Sequence, residues 1–75
     1  MGLPFYKENM FFDAVMAHVS YSAFVRFKKW ESGWIQENGF NCMTAKYYRD
    51  RHEWMLSDPD WSVAVMVVKL AREGD

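Results

Sequence analysis

Apolar side chains in the first half of the chain recur at helical spacing. Phe12, Met16, Val19, Ala23, Phe27, Trp30 and Trp34 follow at steps of four, three, four, four, three and four, and so line one face of a helix. The pattern predicts helix from about Glu8 onward. Val19-Ser20-Tyr21-Ser22 interrupts it with poor helix formers, because hydroxyl side chains compete for backbone hydrogen bonds and β-branched or aromatic ones lose rotamer freedom. A break is therefore expected near residues 20–22, with Ser22 placed to cap a second helix. A rival pattern crosses the same stretch: Tyr21, Ala23, Val25 and Phe27 alternate as strand residues do, which would give a short hairpin over 21–37. The helical reading is preferred.

A second amphipathic segment runs from Thr44, a suitable N-cap, to Leu56. Ala45, Tyr48, His52, Met55 and Leu56 fall on one face and are expected to point inward, with Arg49 at the edge. The opposite face carries Tyr47, Asp50 and Trp54, flanked by Lys46 and Arg51. The last segment is the best punctuated. Asp58 suits an N-cap, Pro59 the first helical position where its missing N–H costs nothing, and Asp60 the positive end of the helix dipole. Lys69 and Arg72 complement the far end, and Gly74 can terminate it. Its interior, Val63 to Val68, is apolar nearly all round, which predicts the central and most buried element. The expected architecture is a single all-α domain over residues 1–75, a compact bundle of three or four helices. The α+β alternative carries the hairpin at 21–37.

Composition supports a packed core. The chain of 75 residues is 51% hydrophobic and 19% aromatic, with a formal charge of −1, which excludes intrinsic disorder. Cys42 is the sole cysteine, so no disulfide staples the fold. The longest uncharged run, Ala14–Val25, is far short of the ~20 residues a spanning helix needs. A free thiol and no evident targeting segment fit a cytoplasmic protein without a membrane role. Between Ser20 and Leu56 lie Arg26, Lys28, Lys29, Lys46, Arg49 and Arg51 against Glu31, Glu37, Asp50 and Glu53. This middle is mildly basic, while a pI near 6.1 argues against strong sequence-blind binding to nucleic acid.

Candidate chemistry is sparse. His18, Cys42 and His52 stand at no metal-ligand spacing, and His52-Glu53-Trp54-Met55-Leu56 has leucine where a zinc-protease helix needs its second histidine. His52 reads as a packed core residue, and Asp58 and Asp60 are explained by capping. A Cys42–His52 dyad has only chance proximity behind it, and there is no glycine-rich phosphate loop. No catalytic residue, metal, cofactor or small-molecule substrate is expected.

Two binding patterns remain. Trp34-Ile35-Gln36-Glu37-Asn38 would end a helix at Gly39, Phe40 would follow as an apolar plug, and Thr44 would open the next helix with Ala45 and Tyr48 facing in. This spacing, with Thr44-Ala45-Lys46-Tyr47-Tyr48-Arg49, then Trp54 and Asp58-Pro59-Asp60-Trp61, resembles helix-turn-helix segments of the phage small-terminase and transposase kind over about half the chain. The resemblance implies duplex DNA as a partner, with Lys46, Tyr47, Asp50, Arg51 and Trp54 facing the groove or its phosphates and Lys46, Arg49 and Arg51 as donors.

The aromatic surplus points to a protein partner instead. Six Phe, four Trp, four Tyr and six Met exceed what a domain this small hides comfortably, and exposed Trp and Tyr beside Arg have the composition of interface hot spots. The expected function is that of a small non-catalytic binding protein of the phage or mobile-element kind. It would dock on or inhibit a protein partner, or a second copy of itself, through Lys46, Tyr47, Arg49, Arg51 and Trp54.

Overall fold

The long apolar seam breaks where the hydroxyl residues interrupt it. In a computed structural model, which describes residues 5–40 and 44–73, four helices follow in order. They are α1 (Phe5–Met16), α2 (Tyr21–Asn38), α3 (Ala45–Ser57) and α4 (Pro59–Glu73). The all-α bundle expected from the sequence is the fold observed. The strand alternative is not realised: residues 21–38 are one continuous helix, and no strand occurs among the described residues. Ser20, not Ser22, is the N-cap of α2. Its extended backbone leaves the side chain free to accept from the Ala23 amide at 3.2 Å, and the Ser22 hydroxyl bonds the cap at 3.1 Å. α2 continues through Gly33 without interruption. Nothing lies within 4 Å of where a side chain would begin there, so no close approach requires that glycine.

α2 ends at Gly39, whose φ of +81° is the one positive value among the described residues, and whose N–H donates to the Ile35 carbonyl. Asn38 adds a side-chain bond to the Trp34 carbonyl at 2.9 Å. Thr44 occupies the N-cap of α3, and its carbonyl takes the Tyr48 amide, but its hydroxyl makes no capping bond. The α3–α4 corner matches its sequence signals closely. The Asp58 carboxylate accepts the amides of Asp60 and Trp61 at 3.1 and 3.2 Å, and Pro59 opens the helix.

α4 packs against α1 and α3. The core is Phe12 and Val15 from α1, Ala23 and Phe27 from α2, Met55 from α3, and Trp61, Ala64, Val65 and Val68 from α4. Rings dominate it: Trp61 stacks on Phe12 at 5.4 Å, and Phe27 meets both at 5.4 and 4.9 Å. Only one face of α4 is covered. Among the described residues α4 supplies four of the nine in the core, more than any other helix. Val63, Met66, Val67 and Leu70 are nevertheless exposed, so the helix expected to be the most buried is bare along one face. Four helices of this length form too few layers to wrap one of their own. No described helix is long and apolar enough to cross a membrane.

Candidate functional site

α3 carries the side chains singled out from the sequence, and the fold divides them. Tyr47 and Arg51 are buried, at 4% and 5% exposure, and Trp54 is half-buried against the core. Lys46 and Arg49 are exposed. The inward face of α3 is therefore Tyr47, Arg51 and Met55, with Trp54 beside it. Of the residues expected inside, Ala45 and Leu56 are exposed, while Tyr48 and His52 are half-buried. The physical reason lies in the neighbours. Trp30 and Trp34 of α2 and Phe12 of α1 present broad ring surfaces to α3, and the side chains of matching shape are Tyr47, Arg51 and Trp54. Phe40, expected as the plug of a helix-turn-helix, is 72% exposed.

Each buried polar group on this face has a partner. The Tyr47 hydroxyl donates to the Glu31 carboxylate, whose other oxygen takes Lys28 Nζ at 3.2 Å. Burial, reinforced by that carboxylate, pushes the Tyr47 phenol up to about 12. Asp50, expected on the wet face, accepts the Trp34 indole N–H at 2.9 Å. The Arg51 guanidinium lies 4.0 Å from the centre of the Phe12 ring, with Tyr48 and Tyr47 at 5.0 and 5.3 Å. It donates to the Asn9 side chain and the Glu8 carbonyl, each at 3.3 Å. Among the described residues no carboxylate forms an ion pair with Arg51. Its charge is held by ring faces and neutral acceptors.

The Tyr47 phenol gives a pH prediction. Its value rises from 10.0 to about 12 on folding, so its contribution is complete below pH 10 and is lost as pH climbs through 12. A rise of that size corresponds to at most about 2–3 kcal/mol. Urea unfolding followed by tryptophan fluorescence should show stability falling over that window, and Tyr47→Phe should flatten the fall. Equal slopes for the two proteins would refute the assignment.

The exposed cations have lesser roles. Lys46 donates to Asn38 Oδ1 at 2.7 Å, and Arg49 Nε lies 3.6 Å from the Asp50 carboxylate, a different pattern from the Lys46–Asp50 and Arg49–Glu53 pairs that helical spacing offers. His52, expected as a packed core residue, is half-buried beside Phe11 with ring centres 6.2 Å apart. Among the described residues no group of three or more His, Cys, Asp or Glu could hold a metal ion. Cys42 lies outside the described residues, so the Cys42–His52 pairing has no geometry to report.

Of the large apolar side chains that are exposed, Met10, Tyr21, Val25, Phe40 and Leu56 are spread over α1, α2, α3 and the Gly39 turn, and four lie on the outer face of α4. Val63, Met66, Val67 and Leu70 recur at i, i+3, i+4 and i+7 and form one stripe directly opposite the buried residues of that helix. Beside it lies an open groove of about 380 Å³, between His18, Val19 and Ser20 of the α1–α2 connection and Asp60, Val63, Ala64 and Val67 of α4. Two polar side chains of the groove hold the fold. The Ser20 hydroxyl caps α2, and the Asp60 carboxylate takes Arg26 Nη2 at 2.6 Å. The same guanidinium binds Asp58 through two bonds and holds its carboxyl below the usual range. A helix apolar nearly all round is expected to be the most buried element, and that expectation does not separate this stripe from the core face. The available signal was the size of the domain, which cannot enclose a helix apolar on every side. No protein family, curated protein or solved structure matches the chain.

Proposed function

We propose that this is a non-catalytic binding protein that docks on another polypeptide through the outer face of α4. The observation that carries the reading is the stripe Val63, Met66, Val67 and Leu70, four large apolar side chains that a solvated helix has no reason to present together. The proposal keeps the protein-binding class expected from the composition, including occlusion of a partner's site, and moves the contact from α3 to α4. Tyr47, Arg51 and Trp54 take no part, because the fold uses them internally. A helix with apolar positions at this spacing is suited to helix-on-helix or helix-in-groove recognition.

A photo-cross-linking phenylalanine analogue in place of Met66 tests the reading in the cells the protein comes from. The expected result is a covalent adduct from position 66 and none from the same analogue at Gln36, exposed on α2. No adduct at position 66, or equal yield at both positions, defeats the proposal.

A second reading, duplex DNA binding by α3, retains one observation: Lys46 and Arg49 lie exposed on the helix that follows the Gly39 turn. With Arg51 buried, two cations remain, and the slope of log affinity against log salt should not exceed about −2.

A further inference from the structure

We infer that Asn38 is a latent site of self-modification, whose side-chain amide closes onto the Gly39 backbone nitrogen and deamidates when the corner between α2 and α3 opens. The inference is independent of the α4 face. Its two reacting groups are neighbours in the chain. A glycine after asparagine sets no Cβ beside the attacking nitrogen. Gly39 is also exposed, and nothing lies within 4 Å of where a side chain would begin there, so water reaches the bond.

The chemistry needs only water. The Gly39 nitrogen gives its proton to hydroxide and attacks Asn38 Cγ. A C–N bond forms as the Cγ–Nδ2 bond breaks, and Nδ2 takes a proton from water and leaves as ammonia. The cyclic imide then adds water at one of its two carbonyls. Cleavage at Cγ restores the main chain and leaves an aspartyl residue at position 38. Cleavage at the backbone carbonyl routes the main chain through the side chain and lengthens it by one methylene.

The folded chain restrains both reacting groups. Asn38 is the last residue of α2, and its carboxamide folds back over the preceding turn. Nδ2 donates to the Trp34 carbonyl at 2.9 Å, and Oδ1 accepts Lys46 Nζ, from α3, at 2.7 Å. The nucleophile is engaged as well, since the Gly39 N–H donates to the Ile35 carbonyl at 2.6 Å. The carboxamide cannot turn toward Gly39 without releasing Trp34, and the nitrogen cannot shed a proton that it is donating. Lys46 is the latch between the helices, because its bond to Oδ1 is charge-assisted and spans the corner. Either product lacks the Nδ2 donor for Trp34, and the added methylene carries the Gly39 N–H away from Ile35. The corner therefore does not close again as it was.

Incubation of the full chain in mildly alkaline buffer, with and without guanidinium chloride, tests the inference by mass spectrometry of the tryptic peptide spanning Asn38. The expected readout is the mass gain of amide-to-acid conversion, placed by fragment ions at position 38 and not at Gln36 or Asn41. In the folded parent it should accumulate at least ~10-fold more slowly than in denaturant. Lys46→Ala, at an exposed position, should keep the circular dichroism and thermal transition of the parent. It should quicken the folded-state reaction ~2- to 5-fold. In denaturant the two proteins should react at one rate, which separates the latch from any direct effect of the ammonium on the amide. Equal rates for folded and denatured parent, or a folded Lys46→Ala rate no higher than the parent's, would overturn the inference. So would a difference between the two proteins that persists in denaturant, or conversion confined to Gln36 or Asn41.

Discussion

Trp61→Ala should leave most of the chain unfolded at 25 °C in water. Trp61 is fully buried, its ring stacks on Phe12 at 5.4 Å, and it meets Phe27 and Trp54 at 5.4 and 5.9 Å. Its indole N–H donates to the Ala23 carbonyl at 2.8 Å, so the same residue joins α4 to α2. Replacing a buried tryptophan by alanine costs about 3–5 kcal/mol, from lost burial and the cavity left behind. A single core in a chain this short rarely supplies more than about 3–5 kcal/mol in total. The loss therefore matches the whole margin. Far-UV circular dichroism and a urea titration will show it, and Trp61→Phe, which keeps most of the volume and gives up the hydrogen bond, should fall between. A Trp61→Ala protein with the parent's urea midpoint would mean that the aromatic cluster is not the core.

The second large effect is at Arg51. Arg51→Ala should destabilise the fold by about 3 kcal/mol, since it removes a desolvated guanidinium from the Phe12 ring and opens a void beside Tyr47 and Tyr48. Arg51→Met restores an unbranched apolar stem of similar reach. Because no ion pair is lost among the described residues, it should cost less than about 1.5 kcal/mol. Lys46→Ala and Arg49→Ala, both at exposed positions, should each stay within about 0.5 kcal/mol of the parent. Thermal unfolding of the four variants separates the roles. If Arg51→Ala is as stable as the parent, Arg51 belongs to the surface and the inward face of α3 is wrongly assigned.

The residues show why some features were legible in the sequence and others were not. Helix ends depend on local chemistry, and the Asp58-Pro59-Asp60 corner and the Gly39 stop stand where their side chains predict. The cap at Ser20 falls two residues from Ser22 because both serines satisfy the same local rule, and only packing chooses between them. The orientation of α3 depends on tertiary partners. Tyr47, Arg51 and Trp54 are spaced as regularly as Ala45, Tyr48 and His52, and all three have a polar tip on an apolar body. What turns them inward is Glu31, Trp30 and Phe12, on other helices. The docking stripe was obscured for the opposite reason: Val63, Met66, Val67 and Leu70 look like core residues, and nothing local distinguishes a covered valine from a bare one.

The polar bonds from α2 have a consequence for uniqueness. Ala23, Arg26, Glu31, Trp34 and Asn38 each make one or more, to Trp61, to Asp58 and Asp60, to Tyr47, to Asp50 and to Lys46. All five donors and acceptors fall on one side of the helix, and together they run nearly its whole length, like rungs on a ladder. Large flat rings slide past one another at little cost, and a centre built from them would tolerate several alignments. Sliding α2 by a single residue would break every rung at once, which makes one alignment the lowest in energy and lets so aromatic a polypeptide settle into a single shape.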